Sequence, residues 1–182
     1  METESIPARP TRQDELYHDV AAEHGAALER LARGYEADPD RRRDLLQEIH
    51  LALWQSFAGF DGRCSLRTWV YRVAHNVATS HVIRDHRAYS RTLVGLHVLE
   101  TLATDDDRER AVDQRTALEK LLKLIQQLKP LDRQVMLSYL EGLDASSIAE
   151  ITGLSPGNVA TKVHRIKNVL ARRFLEGGSH GQ

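Results

Sequence analysis

Four polar side chains near the C-terminal end of the sequence have the types and the spacing needed to read DNA bases. Their intervals of three, one and three residues place them on one face of a helix, and they are Asn158, Thr161, Lys162 and Arg165. Asparagine pairs with adenine through two hydrogen bonds, arginine and lysine pair with guanine, and threonine contacts phosphate or a thymine methyl group. The alternative interpretation is a solvated basic face on an ordinary amphipathic helix. The residues around these four distinguish the two interpretations.

That neighbouring sequence supplies the elements of a helix-turn-helix. A short helix is predicted for Asp144–Thr152, and Gly153 makes the turn after it. Ser155 is a good N-cap for the next helix, and Pro156 suits its first position. The buried face of this second helix recurs at intervals of four, three and four residues, at Val159, Val163, Ile166 and Leu170. Because this face lies opposite the polar one, the arrangement favours DNA binding over a solvated helix.

A second candidate site combines an aromatic ring with polar side chains. It lies in the stretch Trp-Val-Tyr-Arg-Val-Ala-His-Asn-Val-Ala that begins at Trp69. On a helix, Trp69 borders a polar face of Arg72, His75, Asn76, Thr79 and Ser80. Bases of single-stranded DNA stack on aromatic rings while cations follow the backbone, so melted DNA is one ligand for this face. A core tryptophan at a helix–helix contact is the alternative, and residue type alone favours it.

The periodicity of apolar residues is helical nearly throughout, and no segment alternates like a strand for long enough to count. Helices are predicted at residues 14–36, 40–57, 66–87, 113–128 and 132–140, before the pair described above. Between residues 88 and 112 the periodicity weakens, and Asp105–Asp107 form an acidic run. We therefore predict an all-α fold of two small helical domains, at residues 1–91 and 113–182, joined by a flexible acidic linker at residues 92–112.

The charge of the chain is informative only when it is divided by segment. The 182 residues carry a formal net charge of −1, which by itself speaks against nucleic acid as a partner. Residues 37–91 have 9 basic and 6 acidic groups, and residues 155–182 have 5 and 1, so acidic segments conceal two basic blocks. Each block contains one of the two candidate faces, which restores nucleic acid as the expected partner.

The sequence argues against several other classes of protein. No apolar run approaches the roughly 20 residues of a membrane span, and the acidic start Met1–Ser5 lacks the apolar run of a secretion signal. The single Cys64 cannot form an internal disulfide, so we expect a cytoplasmic chain, although the neighbouring Arg63 leaves a redox-sensing thiol open. No histidine pair has the i, i+4 spacing of a helical zinc site, and no phosphate-binding loop or catalytic elbow occurs. We expect no metal, no cofactor and no enzymatic activity.

Two parts of the sequence resemble conserved regions of one protein family. Asp44-Leu-Leu-Gln-Glu-Ile and Ser65-Leu-Arg-Thr-Trp-Val-Tyr-Arg-Val-Ala-His-Asn-Val-Ala resemble the second conserved region of bacterial RNA polymerase sigma factors, above all of the extracytoplasmic-function class. Leu128-Lys-Pro-Leu-Asp-Arg-Gln-Val-Met and Lys162-Val-His-Arg-Ile-Lys-Asn-Val-Leu resemble their fourth region. The matches cover residues 26–91 and 113–174 in the family's order. The resemblance implies a transcription initiation factor whose partners are core RNA polymerase and promoter DNA.

The resemblance also implies roles for residues at three places. Core polymerase is expected to bind the second helix at Asp44, Gln47, Glu48 and Trp54. The minus-ten promoter element, where a base leaves the stack, is expected to contact Gly62, Arg63, Cys64, Ser65, Trp69, Arg72 and Asn76. The minus-thirty-five element is expected to contact Asn158, Thr161, Lys162 and Arg165. The run Asp105–Asp107 either lies in a cationic channel of the polymerase or is simply solvated.

The chain departs from the family at the predicted polymerase surface. Where relatives have an acidic cluster, it has Arg41, Arg42 and Arg43, and like charge opposite a basic partner costs several kcal/mol. One hypothesis is weak intrinsic binding to polymerase that a Ser/Thr kinase relieves by phosphorylating a nearby hydroxyl. The candidate hydroxyls are those of Ser56, Ser65 and Thr68. A solvated helix start without regulatory meaning is the alternative, and control by an anti-sigma protein stays open beside both.

One other class of function fits the helix-turn-helix. A stand-alone dimeric transcriptional regulator would use its N-terminal half to sense a ligand or to dimerise, and it would protect a palindromic site without polymerase. A sigma factor would instead be a monomer that binds promoters poorly alone and starts transcription only with core polymerase.

Overall fold

The computed structural model describes residues 11–92 and 111–176, and every regular element in these two ranges is helical. The seven α-helices found there are α1 (Arg12–Tyr35), α2 (Pro39–Ser56), α3 (Leu66–Thr92), α4 (Ala111–Gln126), α5 (Pro130–Leu140), α6 (Ala145–Thr152) and α7 (Pro156–Glu176), with one 3-10 turn at Phe57–Gly59. The predicted all-α fold is confirmed. The largest difference in a helix end is at α3, which continues five residues beyond its predicted end at Arg87. Asp105–Asp107 and most of the predicted linker lie outside the described residues.

Capping groups explain where the first three helices begin. Thr11 and Asp14 form a reciprocal capping box, in which each side chain accepts the backbone N–H of the other. Asp38 caps α2 through its carboxylate, and Pro39 occupies the first helical position, where a missing N–H costs nothing. Ser65 caps α3 as predicted, since its hydroxyl oxygen accepts the backbone N–H three residues later at 3.0 Å.

The three N-terminal helices share one apolar core. Its most deeply buried members, all at most 1% exposed, are Val20, Leu28, Leu31 and Ala32 of α1, Leu45, Ile49 and Leu53 of α2, and Val70, Tyr71, Ala74 and Ala78 of α3. The members on α2 recur at intervals of four, as expected for one stripe of a helix. Burial of each large aliphatic side chain contributes about 2 kcal/mol, so this core fixes the relative orientation of α2 and α3.

Helices α6 and α7 form the predicted helix-turn-helix. The carboxylate of Asp144 accepts the backbone N–H of Ser147 at 2.7 Å and caps α6. Gly153 ends α6 in the left-handed conformation at φ 75°, and the Ser155 hydroxyl oxygen accepts the backbone N–H of Asn158 at the start of α7. The predicted inward stripe of α7 is confirmed, because Val159, Val163, Ile166 and Leu170 are all buried.

Substitutions at two glycines of the helix-turn-helix should change stability in opposite directions. Gly153→Ala is expected to lower the free energy of unfolding by about 1 kcal/mol, because an L-residue is strained in the left-handed region. The strain is the whole cost, since an added Cβ at Gly153 meets nothing within 4 Å. Gly157→Ala lies inside α7 with equally open space and is expected to raise stability by about 0.5 kcal/mol. Urea denaturation of both variants measures the two effects, and equal signs would contradict this account of the turn.

The two helical units are in direct contact through a buried histidine. His75 of α3 is 0% exposed. Its Nδ1 lies 2.9 Å from the Tyr35 hydroxyl of α1, and its Nε2 lies 2.9 Å from the Ser138 hydroxyl of α5. A neutral imidazole has one donor and one acceptor, so both ring nitrogens are satisfied. The prediction that His75 belongs to the polar face of α3 is therefore wrong, because α5 covers that side of the ring.

Glu141, just after α5, forms a second link between the units. Its carboxylate accepts two hydrogen bonds from the Arg30 guanidinium, at 2.8 and 2.7 Å, and one from the Tyr71 hydroxyl at 3.3 Å. Its backbone carbonyl accepts a hydrogen bond from the Arg67 guanidinium at 2.5 Å. The bidentate geometry makes the Arg30 pair stronger than a single surface ion pair. The sequence pattern did not predict this contact, because it indicated two domains joined only by a flexible linker. The predicted domain boundaries, at residues 91/92 and 112/113, stay predictions.

Among the residues that the structure describes, no helix combines the length and the apolar character that crossing a membrane requires.

Candidate nucleic-acid interface

The polar side of α7 forms the first candidate surface, here called the α7 face. Its members are Asn158, Thr161, Lys162 and Arg165, and they lie on the side of α7 away from the buried stripe. Asn158 and Thr161 are exposed, and the Thr161 hydroxyl donates to the Gly157 carbonyl at 3.0 Å. That hydroxyl is thus already a donor within the helix, which leaves its methyl group and its acceptor capacity for DNA.

The two cations of the α7 face are not equally free. Lys162 Nζ lies 2.5 Å from Asp132 Oδ1 at the start of α5, and the lysine side chain is only 20% exposed. Arg165 Nη2 lies 3.6 Å from Asp132 Oδ2, and the arginine side chain is 65% exposed. The sequence prediction missed Asp132 because no local pattern connects it with residues that follow 30 or more positions later.

A second candidate surface, here called the α3 face, consists of Trp69, Arg72 and Asn76. Their spacing of three and four residues aligns them along one side of α3. The Arg72 guanidinium lies 4.7 Å from the centre of the Trp69 ring, and the Trp69 indole N–H donates to the Ser56 hydroxyl at 2.9 Å. The ring is half-buried and fixed, whereas Asn76 is exposed. The Trp69 ring thus has features of both predicted alternatives. It is bonded to Ser56 at the contact with α2, as a core tryptophan would be, and its face carries the Arg72 guanidinium beside the exposed Asn76.

The loop before α3 lies next to this face. Gly62 has φ 76°, a left-handed conformation that glycine tolerates without strain. The Arg63 guanidinium is exposed and donates to the Asp61 carboxylate at 2.5 Å, and the Arg72 guanidinium lies 3.8 Å from Cys64 Sγ. Hydrogen bonds from the Arg63 backbone N–H and then from its guanidinium lower the pKa of Asp61. Loop and α3 face therefore meet through Arg72, and their common role at a minus-ten element stays a prediction.

The third candidate surface lies on α2 and is here called the α2 face. Asp44 and Gln47 are exposed, and Glu48 is half-buried with its carboxylate 2.5 Å from the Arg84 guanidinium. The face also includes Leu51, which is 57% exposed although it is aliphatic. The sequence prediction missed Leu51, but its position seven residues after Asp44 and outside the inward stripe was an available signal.

Trp54 completes the α2 face and is anchored to α1. Its ring is 39% exposed, and its indole N–H donates to Asp14 Oδ1 at 2.9 Å. The Gln13 side-chain amide donates to the Trp54 carbonyl at 2.7 Å. The indole hydrogen bond, followed by the bonds to Thr11, lowers the pKa of Asp14 to about 2. The exposed edge of Trp54 is thus held in one orientation beside the polar residues of α2.

The three arginines near the start of α2 have partners of their own. Arg41 Nε lies 3.5 Å from Glu36 Oε2, and Arg43 Nη1 lies 3.2 Å from Asp40 Oδ1. Arg42 donates to the Ala37 backbone carbonyl at 3.4 Å. Local carboxylates therefore offset the positive charge of two of the three arginines that the sequence places at the predicted polymerase surface.

The hydroxyls proposed as phosphorylation sites serve the fold instead. Ser56 Oγ donates to the Leu53 carbonyl at 2.8 Å while it accepts the Trp69 indole N–H. Thr68 is only 3% exposed, and its hydroxyl lies 2.8 Å from that of Ser65, the cap of α3. A phosphate on Ser56 would displace the packed Trp69 ring, and the buried Thr68 hydroxyl has no room for one, so the contacts of these hydroxyls give activation by phosphorylation no support.

The family model described as Sigma-70 region 2 matches residues 20–88, which include the α2 and α3 faces. The model described as Sigma-70, region 4 matches residues 118–170, which include the α7 face. Both matches follow the order that the sequence resemblance implied.

Individual relatives agree with the family models. The chain is 32% identical to the RNA polymerase sigma factor YlaC of Bacillus subtilis over 138 residues, which cover 74% of this chain and 78% of the relative. It is 27% identical to the ECF RNA polymerase sigma factor SigX of the same organism over 76% of this chain and 73% of SigX. Among solved structures, the sigma factor RpoE of Bartonella quintana, in complex with the anti-sigma factor NepR, has a similar fold with a TM-score of 0.67 at 20% identity, over 89% of this chain and 97% of that one.

Proposed function

This chain belongs to the extracytoplasmic-function class of RNA polymerase sigma factors, and we propose that each of its three faces binds a different partner during transcription initiation. As a sigma factor it is a non-enzymatic initiation factor that binds core RNA polymerase and directs it to promoters. The α2 face would bind core polymerase, the α3 face and the loop before it would bind the minus-ten element, and the α7 face would read the minus-thirty-five element. Family membership replaces the alternative of a stand-alone dimeric regulator.

The observation that carries this proposal is the separation of buried and polar sides on α7. The helix buries four aliphatic side chains against the rest of its unit, so the opposite side is available to a major groove. Asparagine, lysine and arginine on that side supply the bidentate donors and acceptors that distinguish base pairs. The α3 face supports the same conclusion, because a fixed indole ring with a guanidinium over it suits unpaired bases and backbone phosphate.

The α2 face suits a protein partner better than DNA. It combines carboxylates and an amide with two exposed apolar groups, Leu51 and Trp54. Aromatic anchors with surrounding polar groups are typical of protein–protein contacts. We also infer that an anti-sigma protein restrains this chain, an inference supported by the likeness to RpoE, which was solved in complex with NepR.

In vitro transcription with core polymerase tests the proposal. The template is a promoter library in which the minus-ten and minus-thirty-five positions are randomised and the rest is constant. Arg165→Ala is expected to lower transcription from the best upstream elements by about 5- to 150-fold, because one base contact contributes roughly 1–3 kcal/mol. Asn76→Ala is expected to reduce selectivity at the downstream element and to leave the upstream preference unchanged.

Lys167→Ala is the matched control for Arg165→Ala. Lys167 is exposed on the same helix and carries the same charge, but it does not belong to the α7 face. Its ammonium lies 5.5 Å from the centre of the Tyr139 ring instead. Its removal should leave the upstream preference intact. No specific transcript from the wild-type chain with core polymerase would overturn the proposal, and so would equal effects of the two α7 substitutions.

A further inference from the structure

Asp132 connects the two cations of the α7 face through a single carboxylate. One oxygen, Oδ1, lies 2.5 Å from Lys162 Nζ, and the other, Oδ2, lies 3.6 Å from Arg165 Nη2. The carboxylate is 17% exposed and belongs to the first turn of α5, a different helix from the one that carries both cations. The three groups line a surface cavity of about 470 Å³, so they remain accessible from solvent.

The position of the carboxylate restricts the two side chains differently. Lysine has a flexible four-carbon stem and three rotatable donors, so its ammonium has no preferred target unless something fixes it. Asp132 fixes Lys162 with a short charge-assisted bond. Arg165, at the longer distance and with most of its guanidinium exposed, keeps donors free to reach a base. The carboxylate thus sets where Lys162 points and biases Arg165 toward the same side.

The same carboxylate also reduces the sequence-independent attraction of α7 for DNA. Non-specific affinity follows the number of phosphates that a protein neutralises, and each adds about 0.9 to the salt slope on duplex DNA. Without Asp132, the two cations would bind phosphates of DNA of any sequence. With Asp132 beside them, the group of three carries one net positive charge instead of two. This weakens non-specific binding to phosphates, which depends on net charge, more than it weakens base contacts, which also depend on hydrogen bonds.

We propose that Asp132 is a specificity-determining positioning residue, which holds Lys162 and Arg165 for base reading and weakens their attraction to DNA of the wrong sequence. The inference rests on the proposed role of the α7 face at the minus-thirty-five element. Asp132 touches no base itself and acts through the two cations. Its removal should therefore increase binding to poor sequences while it reduces the distinction between good and poor ones.

The test uses the holoenzyme, formed from the full chain and core polymerase, on a promoter library randomised only at the upstream element. Asp132→Asn keeps the shape of the side chain and removes its charge. We expect transcription from the median sequence to rise several-fold at low salt and the ratio of best to median sequence to fall by about tenfold. The salt dependence of median transcription should steepen by about one phosphate contact.

Two further variants separate positioning from charge and from folding. Asp132→Glu retains a carboxylate and should recover most of the lost selectivity. Glu119→Gln, at an exposed position on α4, makes the same change in net charge away from the α7 face and should alter neither the ratio nor the salt dependence. An upstream preference that Asp132→Asn leaves unchanged would overturn the role of Asp132 alone. A uniform fall in transcription over the whole library would also overturn it, because that result is expected from a purely structural residue.

The outcome for the wild-type holoenzyme distinguishes this inference from the proposed function. If the wild type selects an upstream element, the α7 face retains its proposed role whatever Asp132→Asn does. If the wild type selects none, the role of the α7 face and that of Asp132 are overturned together.

Discussion

His75→Ala is expected to lower the free energy of unfolding by about 4 kcal/mol. The substitution removes a fully buried side chain and leaves a cavity, which costs about 2–5 kcal/mol for a large residue. It also removes the ring nitrogens bonded to the Tyr35 and Ser138 hydroxyls, of which Tyr35 keeps a bond to Thr79. A buried polar group left unsatisfied, as at Ser138, costs about 1–3 kcal/mol. Because small domains are stable by only about 5–15 kcal/mol, this single change should bring the fold close to its limit. Urea denaturation followed by circular dichroism measures the loss.

Asn76→Ala is the matched control in the next position of α3. Asn76 is exposed, so its truncation should change stability by less than about 0.5 kcal/mol. Ser138→Ala removes only one of the two bonds to the ring and should cost about 1–2 kcal/mol. A loss for His75→Ala as small as that for Asn76→Ala would refute the packing of α3 against α5.

Acid is expected to destabilise the chain through the same ring. Burial lowers the pKa of His75 to about 3, while an unfolded chain has its ordinary value near 6.5. Between these two values the unfolded state binds a proton that the folded state does not, so stability falls as the pH falls. From pH 7 to pH 5 the contribution of His75 should decrease by about 2 kcal/mol.

Comparison with His75→Gln isolates this effect from that of the other titrating groups. Glutamine has both a donor and an acceptor, as neutral imidazole does, but it takes up no proton in this range. The difference in unfolding free energy between the wild type and the variant should therefore shrink by about 2 kcal/mol between pH 7 and pH 5. A difference independent of pH would mean that the folded chain also protonates His75 readily, and that its ring is not sealed from water.

The sequence was sufficient wherever a short-range pattern decided the structure. The inward stripe of α7 follows from the intervals between Val159, Val163, Ile166 and Leu170, and the turn before it follows from Gly153 and Ser155. Caps and breaks act within one helical turn, so the helix ends other than the end of α3 were predicted to within two residues. The polar sides of α2 and α7 were then found as the remainder, once the inward residues had been identified.

Residue pairs that are distant in sequence could not be predicted in this way. Histidine at position 75 fits a polar face by residue type, and only the arrival of Ser138 from another helix explains its burial. The indole N–H of Trp54 is bonded to Asp14, 40 residues earlier, a pairing that no periodicity encodes. Lys162 looked like a free cation for the same reason, since Asp132 precedes it by 30 residues. Side-chain types indicated which chemistry was present, and tertiary contacts decided which of it was available.

The bond between His75 and Ser138 also links folding to the order of synthesis. Its two partners lie 63 residues apart, and at about 5–20 residues per second a ribosome needs roughly 3–13 s to make that stretch. Once Thr92 has been made, α1, α2 and α3 are complete in sequence, but until α5 appears the imidazole has only one of its two hydroxyl partners. The side of α3 that α5 will cover is open to water and to other chains. The N-terminal unit thus emerges first but stays incomplete until α5 appears, and in those seconds a nascent chain exposes a surface through which it can aggregate.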